Sequence, residues 1–318
     1  MNITTFLLIS IGILLIWKAA EALEKYAILT SNKFNISPFI IGSTIIALGT
    51  SSPEIFTTIF ASINEQGTLI IGNVIGSNIA NLSLVFGITV FILGLKKCEI
   101  KEESKNLTLN LSLLLLSTLV LSLVLSFYPF SFSSSICLLA LLCLIIFTWF
   151  KTKNFDESQT AQKESNPIPK LISSIAFICL GSWLIVKGAD NILREFEVGQ
   201  MFVGFTVLAI GTSLPEIAAS ISLGLKGRYE AVAGTLIGSN IFNGLLVMAI
   251  PGLFFNEDAL SSGWMITEWL SLLACLFIIT LMFCAYLEVI AFKPKKASSI
   301  LGLVFIGSYF IALTISYN

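Results

Sequence analysis

The sequence predicts an all-α polytopic membrane protein of ten transmembrane helices, built as two inverted-topology five-helix repeats. Three observations predict it: ten membrane-length apolar runs, a one-sided distribution of lysine and arginine, and a duplicated polar motif separated by an odd number of runs. The chain is 56% hydrophobic and 12% charged, with a mean hydropathy of +0.93. A soluble domain carries about 25% charged residues.

Runs of about 20 apolar residues with few charges read as membrane helices. They lie at 4–23, 37–63, 67–95, 106–126, 131–150, 170–190, 198–224, 229–253, 262–287 and 298–316. Barrel strands would give short alternating segments instead. With both termini placed outside, the loops on the opposite face hold 16 of the 18 Lys and Arg; only Lys187 and Arg194 fall outside. That bias supports the even span count and predicts extracellular or periplasmic termini in the cell (cytoplasmic) membrane. The first run lacks a positive start and its lysines follow it, so it reads as a retained helix rather than a cleaved leader.

Residues 1–150 form the first five-helix half and 170–318 the second. The polar stretch KTKNFDESQTAQKESNPIP at 151–169 reads as a cytoplasmic linker. A shift of 162 residues aligns the halves: 42–81 match 204–243 at 17 of 40 positions without a gap. The repeats so defined occupy 37–95 and 198–253. Most of the identities fall on Gly, Ser, Thr, Pro, Glu and Asn rather than on interchangeable aliphatics. Five runs separate the copies, so the second crosses in the opposite sense, an arrangement that places corresponding residues face to face near the midplane.

The composition also excludes. There is no histidine, which removes His-ligated zinc, Ser-His-Asp triads and histidine relays. Cys98, Cys137, Cys143, Cys179, Cys275 and Cys284 show no C-x-x-C spacing and read as small apolar core residues. No basic cluster suggests nucleic acid, no cofactor string is present, and no protein partner is expected; the surroundings are the lipid bilayer.

The chemistry sits in two strings, each present twice. Gly49-Thr50-Ser51-Ser52-Pro53-Glu54 recurs as Gly211-Thr212-Ser213-Leu214-Pro215-Glu216. Pro53 has no N–H, so the carbonyl of Gly49 loses its helical partner. Free carbonyls near Ala47 to Thr50 are expected to line a polar cavity, since lipid would not tolerate them. Gly76-Ser77-Asn78-Ile79 with Asn81 recurs as Gly238-Ser239-Asn240-Ile241 with Asn243. Ser77 and Asn81 share a helix face, as do Ser239 and Asn243. Gly72 and Gly76, like Gly234 and Gly238, have the small-xxx-small spacing of close helix approach.

A carboxylate at the bilayer centre costs about 2.5–3.5 kcal/mol on the mildest scale, and two that face each other also repel. Either one is protonated or cations lie between them. Calcium accepts 6–8 oxygens of mixed type in loose geometry; soft metals find no ligands here.

These strings resemble the alpha-repeats of the calcium/cation antiporter superfamily, specifically the sodium/calcium exchangers. The resemblance implies antiport of Na+ against Ca2+ by alternating access, with the ions as transported substrates. It implies ion binding by Glu54 and Glu216, helped by Ser51, Ser213, Ser77, Ser239 and the carbonyls of Ala47, Thr50, Ala209 and Thr212, with Asn81 and Asn243 closing each second motif. Some relatives, including potassium-dependent exchangers, place an aspartate where Asn243 stands. Both copies here end in asparagine, which limits the cage to two fixed charges and argues against potassium co-transport. The alternatives are a proton/calcium exchanger, in which the two glutamates carry protons, and a cation channel. An enzyme is not expected, because no nucleophile–base pair accompanies the carboxylates.

Among other polar residues, Asn78 and Asn240 read equally as helix-packing bonds or ligands. Glu21, Glu24 and Glu195 read as solvated, Asp190 as an interfacial partner of Lys187, and Glu268 and Glu288 as interfacial.

Overall fold

Among the described residues nine helices are long and apolar enough to cross a bilayer, and two shorter ones, Gly204–Thr212 and Leu214–Leu225, meet at 42° and together make a tenth span. The computed structural model describes residues 3–34, 38–100, 107–151, 166–196, 204–255, 260, 266–292, 295–296 and 298–317. Most of the linker (152–165), together with the side chains of Asp190, Glu195 and Glu268, lies outside the described residues.

Spans 1 to 5 are Ile3–Thr30, Phe39–Ile63, Gly67–Leu95, Leu107–Phe127 and Phe132–Lys151. Spans 6 to 10 are the helix Ile168–Phe196, the bent pair, Tyr229–Phe254, the helix Ile266–Phe292 and Ser299–Tyr317. The packing is itself symmetric. Span 1 lies along span 6, while span 1 also meets Leu214–Leu225 and span 6 meets Ser52–Ile63. The beginning of span 2 packs on span 8, and the beginning of span 7 on span 3. Spans 2, 3, 7 and 8 thus form the centre. In span 8, 83% of the apolar window is buried, against 28% in spans 1, 5 and 10. Apolar side chains on those outer spans, such as Leu14, Phe147 and Ile311, are exposed, as a lipid-facing surface requires.

Two contacts between loops fix which ends share a face. The loops after spans 3 and 9 join in a two-residue antiparallel pair, Glu99–Ile100 with Lys295–Lys296, so both lie on one face. The end of span 1 meets the loop after span 7. There Glu24 is fully buried, not solvated as expected. Its carboxylate accepts from Ser222 Oγ at 3.0 Å and from Arg228 Nη1 at 3.1 Å, and it pairs with Lys226 Nζ. The reason is positional: six crossings, an even number, separate the end of span 1 from the end of span 7, so both lie on the face that carries the linker. Glu24→Gln is expected to lower stability by about 1–3 kcal/mol, less than a fully buried pair because Lys226 and Arg228 are partly exposed. An unchanged melting temperature of the purified protein would contradict this.

Glu21 is exposed, as expected of a solvated acid, and pairs with Lys18 at 3.2 Å. Lys187 lies 5.7 Å from the ring centroid of Phe60. Glu288 is half-buried. All six cysteines are free, but only Cys284 is buried; Cys137 and Cys143 are exposed on the outer spans rather than in the core.

Candidate ion site

Span 2 is two helices. Ala47–Thr50 stops at Ser51, whose backbone (φ −81°, ψ 2°) leaves the helical region. A new helix, Ser52–Ile63, then starts with Pro53 in its first turn and Glu54 beside it. Proline is tolerated there because its missing N–H would be unpaired anyway, and the helix N-terminus favours the carboxylate. Span 7 repeats this: Ser213 has the same angles, and Leu214–Leu225 begins with Pro215 and Glu216. The glutamates therefore lie at the break, in the middle of the molecule.

Four π-helical turns flank the breaks, at Gly42–Ile46, Asn81–Val85, Gly204–Leu208 and Asn243–Val247. They too are duplicated at an interval of 162. Two end next to Ala47 and Ala209; two begin at Asn81 and Asn243. In the fourth, the carbonyl of Asn243 accepts from Met248 N, five residues on, at 3.3 Å. π turns concentrate at functional sites. No residue pattern in the sequence announced them.

Glycine brings the halves together. A Cβ on Gly76 would stand 3.0 Å from Phe205 Cα and 2.8 Å from Ala209 Cβ; one on Gly238 would stand 2.5 Å from Ser43 O and 2.8 Å from Ala47 Cβ. Each glycine thus seats the other repeat's broken helix, at the alanine whose carbonyl is a candidate ligand.

The polar contacts cross between repeats in the same way. Thr50 Oγ1 and Ser239 Oγ share a hydrogen bond of 3.2 Å; Ser77 Oγ and Thr212 Oγ1 share one of 3.3 Å. Thr212 and Ser77 lie beside Glu54, and Thr50 and Ser239 beside Glu216, without completing a hydrogen bond to either carboxylate. All eight motif side chains, Glu54, Glu216, Ser51, Ser213, Thr50, Thr212, Ser77 and Ser239, are buried, with Asn81 and Asn243. Asn78 and Asn240 resolve as packing groups on one side: Asn78 Nδ2 donates to Asn240 O at 3.4 Å, and Asn240 Nδ2 to Leu236 O at 2.8 Å.

The expected free carbonyls need correction. Gly49 O, deprived of its N–H by Pro53, accepts from Ser52 Oγ at 2.7 Å. Ala47 O accepts from Ser51 N at 2.9 Å and from Thr50 Oγ1 at 3.2 Å, and Ala209 O from Ser213 N at 3.1 Å. The break is capped locally. A carbonyl carries two lone pairs, so Ala209 O keeps its second for a ligand, whereas Ala47 O, which accepts twice, takes a ligand only when the Thr50 hydroxyl turns away.

Buried groups that find no partner complete the picture. Both carboxylate oxygens of Glu54 and Glu216, the hydroxyls of Ser51 and Ser213, and both side-chain polar atoms of Asn81 and Asn243 have none. Unpartnered buried polar atoms are rare and costly. Here they come in repeat-related pairs, which points to a ligand. Among the described residues no group of three or more His, Cys, Asp or Glu side chains could hold a metal; the charge at the site is that of two glutamates. Sequence reasoning missed Thr58, Ser220, Asn73 and Thr235, which are also buried and unpartnered. Their signal was a polar residue at both aligned positions without identity.

The family model described as sodium/calcium exchanger protein matches residues 4–153 and again 168–318. Among similar proteins, the putative antiporter CaxA of Alkalimonas amylolytica is 33% identical over 82% of this chain and 84% of its own. The sodium/calcium exchanger MaX1 of Methanosarcina acetivorans is 24% identical over 87% of this chain and 97% of its own. The solved sodium-calcium exchanger NCX_Mj, soaked with Na+ and Ca2+, superposes with a TM-score of 0.76 at 28% identity, covering 99% of both chains. With two such matched halves and a ten-span inverted fold, the chain is a multi-pass membrane protein that belongs to the sodium/calcium exchanger family.

Proposed function

We infer that this chain exchanges Na+ for Ca2+ across the membrane through one central cage that opens alternately to each face. The observation that carries the reading is the pair of fully buried carboxylates, Glu54 and Glu216, with no protein partner for any of their four oxygens. Their two negative charges balance one calcium or two sodium ions. Ser51, Ser213, Thr50, Thr212, Ser77, Ser239, Asn81 and Asn243, with the carbonyls of Ala47 and Ala209, supply neutral oxygens of the type calcium takes. Competition follows from charge: either ion neutralises the cage, and the bare carboxylates, too costly to move through an apolar interior, hold the protein in place. No cofactor enters this scheme. The linker face is cytoplasmic in this reading, and the protein lies in the cell membrane.

A tenfold sodium gradient supplies about 1.4 kcal/mol per ion. Two sodium ions per calcium sustain roughly a hundredfold calcium gradient. Each further sodium adds about 1.4 kcal/mol, plus about 2.3 kcal/mol per 100 mV of membrane potential. An electrogenic ratio is therefore the stronger pump and is expected here; a reversal potential showing electroneutral exchange would contradict it.

The test of exchange is calcium uptake into reconstituted vesicles. An outward sodium gradient should drive it and a pH gradient alone should not. Uptake driven by pH and indifferent to sodium would make the glutamates proton carriers instead.

A further inference from the structure

The unpartnered polar atoms extend beyond the cage. Thr58, Asn73, Ser220 and Thr235 are each 0% exposed, and Thr58 Oγ1, both polar atoms of the Asn73 amide, Ser220 Oγ and Thr235 Oγ1 find no hydrogen-bond partner. A buried helical hydroxyl normally bonds back to the carbonyl one turn earlier. The neighbours do so: Thr57 bonds Pro53 O at 2.9 Å, Ser62 bonds Thr58 O at 2.7 Å, and Thr89 bonds Val85 O at 2.8 Å. Thr58, Ser220 and Thr235 do not.

Their placement is regular. Thr58 is four residues after Glu54 and Asn73 four before Ser77, so each shares its helix face with a cage residue, about 6 Å away along the axis. Ser52–Ile63 and Gly67–Ala80 form an antiparallel hairpin closed at Asn64–Gln66. In that register Glu54 lies level with Ser77, and Thr58 level with Asn73, one turn nearer the face that carries the termini. Ser220 and Thr235 hold the equivalent level in the second repeat, in the hairpin of Leu214–Leu225 and Tyr229–Phe242. Inversion puts them one turn nearer the linker face.

We propose that Thr58 with Asn73, and Ser220 with Thr235, are two accessory cation stations, one on each side of the glutamate cage, that take over hydration contacts as Ca2+ or Na+ enters. The inference rests on the exchange reading above. A cation moving from water to the cage must exchange its hydration oxygens for protein oxygens, and weak neutral ligands in series suit entry and exit better than one tight step. The stations differ. The one toward the termini holds an amide carbonyl, a type of oxygen that calcium takes; the one toward the linker holds two hydroxyls.

Right-side-out and inverted membrane vesicles, with a tag cleavable only from the terminal face to mark orientation, test this. The double variant Thr58→Val, Asn73→Leu should raise the half-saturating calcium concentration threefold to tenfold, roughly the worth of one or two neutral contacts, for calcium added at the terminal face only. Ser220→Ala with Thr235→Val should do so at the linker face only. Thr58→Ser, which keeps the hydroxyl, should behave as wild type. Melting temperatures without ions should hold or rise, because a buried orphan is removed. Where a double variant fails to accumulate, Thr58→Ala and Ser220→Ala singly give the same face-specific readout. Unchanged affinities at both faces, or equal shifts at both, would overturn the proposal. Wild-type vesicles without sodium-driven uptake would sink the exchange reading; sodium-driven uptake with face-independent variants would sink this one alone.

Discussion

Glu54→Gln and Glu216→Gln are each expected to abolish sodium-driven calcium uptake while leaving the protein folded in the membrane. Both carboxylates are buried and neither has a protein partner to lose, so the change removes charge without breaking a structural bond. Glutamine fills the same volume. The fold should gain slightly, because a buried charge is costly. Transport should not survive, because one remaining charge cannot balance a divalent ion. Changes outside the ligand shell of metal sites cost 10–100-fold in affinity; loss of a charged ligand should exceed about 100-fold. Because the cross-repeat hydroxyl pairs tie the halves into one cage, the two variants should be equally inactive. Uptake rates and melting temperatures measured side by side check this, and substantial activity in either variant would contradict a shared cage.

The second large effect is expected from packing. Gly238→Val and Gly76→Val should each eliminate exchange. The added Cβ of residue 238 meets Ser43 O at 2.5 Å and Ser43 Cα at 2.6 Å, both backbone atoms that cannot swing aside. Relief requires the first half of span 2 to move, and with it Ala47 and Thr50. Overpacking of this kind costs about 1–3 kcal/mol or more. Gly307, with nothing within 4 Å of its added Cβ, supplies the control: Gly307→Ala should transport normally. Activity retained in Gly238→Val would mean that the close crossing of spans 2 and 8 does not position the site.

Much of this was legible in the residues because the bilayer makes strong demands. Apolar runs, loop lysines and the interval of 162 define ten spans in two inverted halves, and the structure has them. Threonines and serines of the strings do meet across the repeats, Thr50 with Ser239 and Ser77 with Thr212, and all the string side chains named as ligands are buried, since a polar residue in a membrane core has few other places to go. What could not be read was local. Ser52 caps Gly49 O, because a hydroxyl next to a proline can reach back over the break, and no propensity rule states that it will. The π turns depend on how neighbouring helices pack, as at Gly238 against Ser43. Glu24 looked like a surface acid near a helix end; only the fold shows that Lys226 and Arg228 meet it there. Thr58, Asn73, Ser220 and Thr235 lay outside the identical strings, and their missing partners are visible only in three dimensions.

The central claim is a single ion cage built from two halves, and calcium binding to the purified protein tests it most directly. Titration calorimetry should give one calcium ion per chain, displaced by sodium, with binding lost in Glu54→Gln and equally in Glu216→Gln. Two calcium ions per chain, with one retained in each single variant, would mean two independent half-sites and would contradict the account.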